Sequence, residues 1–218
     1  SYRNTVHEDR MKEIILDNCP DIMVCTSSEI LPQYREFERT NTTVVNTVLM
    51  PTVTRYIEEL VNNVRNAGFH YEPLLMQGSG GLMTPNILSK WPARLVGSGP
   101  AGGVIGCARF AELAGFKNII TLDMGGTSTD VSLIIDGEPK WDSDFEVEFG
   151  MPVRFPAIDI RSVGAGGGSI GWIDVDGSFK VGPASSGAEP GPACYGQGGT
   201  KPTITDAQVA LGRLDPSS

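Results

Sequence analysis

Residues 118–137 read NIITLDMGGTSTDVSLIIDG, and the fold is decided here. Residues 118–122 (NIITL) read as a continuous apolar strand, and residues 129–135 (TDVSLII) read as a second strand. The turn between them, Asp123-Met124-Gly125-Gly126-Thr127, is too short to hold a helix. Asp136-Gly137 is a two-residue hairpin signal leading into residues 138–141. The octet 123–130, DMGGTSTD, carries what a phosphate chain needs at such a turn. Gly125 and Gly126 lack a Cβ, can adopt positive φ and can bring N–H groups close to an anion. Thr127 and Thr129 offer hydroxyl donors. Asp123, at the end of what reads as a buried strand, and Asp130, near the start of the next, are carboxylates able to hold a neutralising metal ion. A buried Asp123 without a partner would be costly, which argues against an ordinary glycine hairpin with capping polar groups.

Outward from this unit, strands and helices alternate. Upstream, residues 5–17 read as a helix stopped by Asn18-Cys19-Pro20, and 21–25 (DIMVC) as a short strand. Asn41 or Thr42 can cap a long helix reaching Asn66, which Pro51 should kink or divide. Residues 73–77 read as a short strand, and Thr84-Pro85 as a helix start. A second helix is expected over residues 100–114, closed by Gly115. Downstream, 157–160 reads as a strand. Residues 172–175 and 178–181 read as a hairpin about Asp176-Gly177, 182–202 as an ordered Gly/Pro-rich loop, and 206–214 as the start of a helix. This is an α/β pattern with a mixed sheet.

Composition narrows the function. The chain has 218 residues, is 40% hydrophobic and carries a net charge of −9. That charge argues against a nucleic-acid binder or an anionic-membrane binder, both of which want a basic surface. It leaves nucleotide binding open, because a phosphate site can be built from backbone N–H groups and a metal ion. No apolar run approaches the roughly 20 residues that span a bilayer, and no basic segment followed by an apolar stretch opens the chain. A cytoplasmic protein is expected. Cys19, Cys25, Cys107 and Cys194 form no Cys-x-x-Cys pair and read as reduced thiols. His7 and His70 are the only histidines and accompany no cysteine pair, so zinc is not expected. The opening Ser1-Tyr2-Arg3-Asn4 and the closing Asp215-Pro216-Ser217-Ser218 suggest a piece of a longer polypeptide.

Residues 123–130 resemble the second phosphate-binding motif of the actin/Hsp70/sugar-kinase ATPases, in which a helix leads into this strand–turn–strand unit. Here 99–106 (GPAGGVIG) and the helix ending at Gly115 stand in that place. A closer resemblance covers nearly the whole chain. Residues 35–46 (REFERTNTTVVN), 98–103 (SGPAGG), 163–170 (VGAGGGSI), 187–196 (GAEPGPACYG), 202–207 (PTITDA) and 211–215 (LGRLD) are similar, in this order, to the hydantoinase A/5-oxoprolinase family. The resemblance implies a partial ribonuclease H-like α/β lobe with a mixed sheet flanked by helices, a fragment (1–218) of the family's central domain, with residues 1–92 as a helical and α/β N-terminal part and 93–218 as the phosphate-binding lobe with Gly-rich loops. It implies ATP and Mg2+ as cofactors and a cyclic amide as substrate, with the carbonyl oxygen phosphorylated before water opens the ring. It implies catalytic and metal-holding roles for Asp123 and Asp130, and cofactor contacts from Gly125, Gly126, Thr127, Thr129, Gly164, Gly166, Gly167 and Gly168. A hydantoinase B-type subunit or fused C-terminal region is the implied partner. The family's first phosphate motif, Asp-Gly-Gly-Thr, has no copy here, so independent catalysis is not expected.

Several residues carry two readings. The triple glycine 166–168 follows a strand and can lie against nucleotide or substrate, or can mark a tight strand crossing. Arg161 can contact phosphate or substrate, or sit on the surface; in the resemblance a basic residue here leans toward the hydantoinase-like branch. Asp159, Glu189 and Asp206 can be acid, base or metal groups, or turn and cap carboxylates. Cys194 has no cationic neighbour in sequence and is not expected to be a nucleophile. Three alternatives stand beside the main reading. Gly97-Ser98-Gly99-Pro100-Ala101-Gly102 opens a helix as a dinucleotide-binding loop does, with Asp123 about 20 residues on. The same ATPase fold also serves non-catalytic switches. Acetone-carboxylase-like proteins of the family activate ketones.

Overall fold

The structure is a computed structural model that describes residues 2–148 and 151–215. Ser1 and residues 216–218, used above to read the termini, lie outside the described residues. The helices are α1 (Val6–Asn18), α2 (Ser27–Ile30), α3 (Glu36–Asn66), α4 (Pro85–Leu88), α5 (Ser98–Leu113) and α6 (Ile204–Ala210). The strands are β1 (Leu75–Met76), β2 (Leu82–Met83), β3 (Ile119–Met124), β4 (Thr129–Ile135), β5 (Glu138–Pro139), β6 (Trp141–Glu148), β7 (Met151–Ile158), β8 (Ile160–Val163), β9 (Ser169–Ile173) and β10 (Phe179–Ser185). The chain divides into two compact units, Ser1–Arg109 with Pro139–Asp159, and Phe110–Glu138 with Ile160–Ser218.

In the first unit α3 supplies the scaffold. It begins at Glu36, ahead of the expected cap at Asn41 or Thr42, so both residues lie inside the helix. Thr42 and Thr43 donate their hydroxyls back to the Glu38 and Arg39 carbonyls, each at 2.7 Å. Pro51 lies inside the helix without dividing it. Its fixed φ is itself helical, and it removes one donor only. Asn46, 1% exposed, donates to the Lys90 carbonyl at 3.0 Å and accepts from the Ala93 N–H at 3.3 Å, so a buried amide ties α3 to the turn after α4. Ala93, Val153 and Phe155 form the core there, with Val45, Leu49 and Ala157 packed on it. Residues 21–25, expected as a strand, run as turn and irregular backbone. Cys25 is tied to Thr47 by an Sγ–Oγ1 contact of 2.7 Å, and no strand among the described residues pairs with the segment. Residues 92–95 are a 3-10 turn, not a strand. The glycine loop at 97–102 therefore lacks the strand that a dinucleotide-binding unit requires, and the strand after α5 returns as an antiparallel hairpin; the dinucleotide reading is overturned.

The second unit holds the decisive hairpin. β3 and β4 pair antiparallel from Ile119–Ile134 to Met124–Thr129, and β8 pairs antiparallel on the other side of β4. Asp136 (φ 54°) and Gly137 (φ 86°) are both left-handed, as a type I′ turn needs. β9 and β10 form a second hairpin, bridged to Thr203 ahead of α6 through Ile170. The α/β class stands, while β1–β2, β3–β4, β4–β8, β6–β7 and β9–β10 are all antiparallel. Tight turns join most of these strands directly, and a parallel pair would need a long crossover. β3 is not the buried strand its apolar run suggests. Thr121 is covered, but Ile120, Leu122 and Met124 are 66%, 69% and 56% exposed, because the described residues cover only one face of the hairpin.

Candidate functional site

The register places the two key carboxylates together. Asp123 is the cross-strand partner of Asp130, so both side chains leave the same face of the sheet. Directly opposed residues have Cβ atoms about 5 Å apart, and like charges so placed repel. Asp123 is exposed and Asp130 half-buried, so the expectation of a buried carboxylate at Asp123 is corrected along with the burial of its strand. On the other side of β4, the Ser162 hydroxyl on β8 donates to Asp130 Oδ1, from the position that the register sets opposite Asp130.

The turn 125–128 is closed by the Gly125 N–H donating to the Ser128 carbonyl at 2.9 Å. The N–H groups of Gly126, Thr127 and Ser128 donate to no group among the described residues. Neither Gly125 nor Gly126 is left-handed, so positive φ is not the reason for glycine here. A Cβ on Gly126 would meet nothing within 4 Å, and one on Gly125 only the Ser128 carbonyl at 3.7 Å. No contact among the described residues demands glycine at 126.

The triple glycine lies against this turn from the other side. Gly167 N–H donates to the Gly125 carbonyl at 2.9 Å, and Gly168 N–H to the Gly126 carbonyl at 2.6 Å. Thr129 Oγ1 donates to the Ala165 carbonyl at 2.5 Å, and Gly166 N–H to Ser169 Oγ at 2.9 Å. A Cβ on Gly166 would stand 2.6 Å from the Thr127 carbonyl carbon, and one on Gly168 3.0 Å from the Gly126 oxygen. Residues 166–168 thus form a close backbone crossing whose amides are used within the chain, as is the Thr129 hydroxyl. Gly164 is exposed, with open space around its Cβ position.

Asp206 and Cys194 have structural roles. Asp206 sits at the third position of α6 in a capping box with Thr203, and accepts from the Cys194 N–H at 2.7 Å. Burial acts to raise its pKa, but hydrogen bonds from Cys194 and Thr203 outweigh this and hold it at about 2. The same carboxylate pushes the Cys194 thiol up, away from thiolate chemistry. Asp159 pairs with Lys140 at 3.3 Å. Arg161 lies exposed on β8 opposite Val131. The sequence reading missed Ser162, Ser128 and Thr205. Ser162 was within reach, because strand alternation puts it on one face of 160–163. Thr205, whose N–H and hydroxyl both donate to the Gly167 carbonyl at 2.8 and 2.9 Å, had no local signal.

The class the fold defines is a mixed α/β domain of helices and small antiparallel sheets, shared with ATP-dependent enzymes to which this chain is similar. Residues 39–218 match the hydantoinase/oxoprolinase family, and the chain belongs to it. It is 44% identical, over 98% of its length, to an uncharacterized protein of Methanocaldococcus jannaschii, of which it covers 33%. It is 42% identical to the caprolactamase subunit alpha of Pseudomonas jessenii, over 98% of this chain and 31% of that one. The crystal structure of the ATP-dependent caprolactamase from that organism superposes with a TM-score of 0.81 at 39% identity, again over 98% of this chain and 31% of that one. The nucleotide-free structure of acetone carboxylase gives a TM-score of 0.76 at 33% identity, over 100% and 31%. The chain therefore spans about a third of the length of these relatives. Among the described residues no helix is long and apolar enough to cross a membrane.

Proposed function

We propose that this chain supplies one side of the ATP site of an ATP-dependent cyclic amide hydrolase. The observation that carries this reading is the cross-strand pairing of Asp123 with Asp130 beside the undonated amides of Gly126, Thr127 and Ser128. The amides and the Thr127 hydroxyl would receive phosphate oxygens. Asp123 and Asp130 would hold Mg2+, and the donor set fits that ion. Mg2+ takes one or two carboxylates, keeps waters and completes its shell with phosphate oxygens. No group of three or more metal-ligating side chains that could hold an ion occurs among the described residues. The cation would relieve the carboxylate repulsion and neutralise the phosphates. Gly125 and Gly164 would flank the phosphate chain, while Thr129, Gly166, Gly167 and Gly168 would serve it by holding the turn in place. This phosphate-binding part falls within residues 93–218.

A lactam carbonyl is a poor electrophile because of amide resonance. In the proposed reaction its oxygen takes the γ-phosphoryl group of ATP; the new O–P bond replaces the Pβ–O–Pγ bridge, and ADP leaves. Water then adds at carbon and the C–N bond breaks. The acyl phosphate left behind is hydrolysed to carboxylate and phosphate. A second phosphate motif and a hydantoinase B-type subunit, or a fused equivalent, complete the enzyme in this reading. The test uses the full-length protein with its partner. Magnesium-dependent ATP binding should weaken at least about tenfold in Asp123→Asn and in Asp130→Asn, the scale of a charge-assisted interaction. ADP release should rise with one of caprolactam, 5-oxoproline or hydantoin. Unchanged binding in both variants would sink the proposal. The acetone carboxylase match favours a second reading, ketone activation. Bicarbonate-dependent ADP release with acetone, in place of a lactam response, would select it. ATP binding without any response to substrate would instead indicate a switch.

A further inference from the structure

We propose that Thr205 is a positioning residue for the anion-facing turn, acting through the Gly167–Gly168 peptide on the Thr127 N–H; this rests on the ATP reading above. The Gly167 carbonyl accepts twice from Thr205, from its N–H at 2.8 Å and its hydroxyl at 2.9 Å. The N–H of the same peptide unit, on Gly168, donates to the Gly126 carbonyl at 2.6 Å. The N–H of that next peptide unit, on Thr127, is one of the amides that donates to nothing among the described residues. The three groups are thus joined head to tail, Thr205 to Gly167–Gly168 to Gly126–Thr127, with every donor pointing the same way and the chain ending on an unused donor.

A second relay runs beside the first. Ser169 N–H donates to the Gly166 carbonyl at 2.9 Å, Gly167 N–H to the Gly125 carbonyl at 2.9 Å, and the Gly126 N–H is left unused. Hydrogen bonds in series polarise one another, by about 10–30% per bond. The terminal N–H groups become stronger donors, and their direction is fixed before any anion arrives, which is what preorganised electrostatic binding requires. The first relay alone takes one of its two starting donors from a side chain, so it alone can be weakened by substitution. Thr205 is held for the task by α6, where Thr203 caps the helix and Asp206 closes the capping box. The fit at Gly167 is close: a Cβ there would stand 2.7 Å from Thr205 Oγ1.

The test compares Thr205→Val, which keeps the shape and loses the hydroxyl, with Thr205→Ser, which keeps the hydroxyl. Two quantities are read in the full-length protein: magnesium–ATP affinity by calorimetry, and the Thr127 amide proton shift in threonine-labelled protein without nucleotide. Thr205→Val should weaken affinity about 3- to 10-fold, the size of one neutral hydrogen bond, and should move the Thr127 amide proton upfield. Thr205→Ser should restore both. If Thr205→Val does not fold, Thr205→Ala takes its place. Wild-type affinity in the valine variant, equal losses in valine and serine, or an unmoved Thr127 resonance would each overturn the relay. If the wild-type protein binds no ATP, the functional proposal fails, and the relay stands or falls on the Thr127 resonance alone.

Discussion

At the scale of the residue, glycines that look alike in sequence do opposite work. A Cβ on Gly166 would enter the backbone of Thr127 at 2.6 Å, whereas one on Gly126 would find open space. Gly166→Ala should therefore cost about 1–3 kcal/mol, as overpacking a rigid contact does, and lower the thermal unfolding midpoint. Gly126→Ala should leave that midpoint unchanged or raise it slightly, since alanine stiffens the unfolded chain and the native φ is not left-handed. Yet Gly126→Ala should weaken magnesium–ATP binding by about tenfold, because its methyl group would occupy space in front of the unused amides. Thermal unfolding and calorimetry on the two variants check this. Parallel behaviour of the two would mean that both glycines serve packing alone.

At the scale of the element, α6 rests on one carboxylate. The Asp206 pKa is depressed from 3.8 to about 2 in the folded chain. A depressed carboxyl stabilises the fold fully above its ordinary range, and this contribution is lost as pH falls from about 4 through about 2. Asp206→Ala should cost on the order of 1 kcal/mol at pH 7, a figure reduced for solvent screening. In urea unfolding the gap between the two proteins should close across that acid window; a gap constant down to pH 2 would contradict the hydrogen-bonding account. The element scale also shows what was legible. β4 and the Asp136-Gly137 turn were readable residue by residue, since their signals are local: alternation with β-branched residues, and a dipeptide that accepts left-handed backbone. The sequence places Asp123 and Asp130 on the two strands that flank a short turn, but their cross-strand pairing is set by the ladder register, which the sequence reading did not assign. The start of α3 was not readable, because Thr42 could cap or back-bond, and its hydroxyl is also engaged from far along the chain, accepting from the Arg154 N–H at 2.9 Å. The exposure of β3 and the docking of 166–168 were hidden for the same reason: each depends on which distant segment lies alongside.

At the scale of the whole molecule, charge and ligand pull against each other. The chain carries −9, and the proposed ligand is an anion. The net charge of this chain supplies no long-range attraction, so in the proposed site binding would come from a few local donors and a cation, with this chain's field opposing approach. Two outcomes follow. Chelating the divalent metal should abolish ATP binding, since two opposed carboxylates then face the phosphates unneutralised. Association of magnesium–ATP should also speed up as salt is raised from about 20 to 300 mM, because the Debye length shrinks from roughly 20 Å to under 10 Å and screens the repulsion before the short-range contacts are lost. A basic phosphate site would show the reverse, with association slowing as salt rises. Stopped-flow mixing with a fluorescent ATP analogue across that salt range separates the two. Faster association with salt would fit a site built from main-chain amides and a held cation, and slower association would require a cationic side chain at the phosphates that the site described above does not contain.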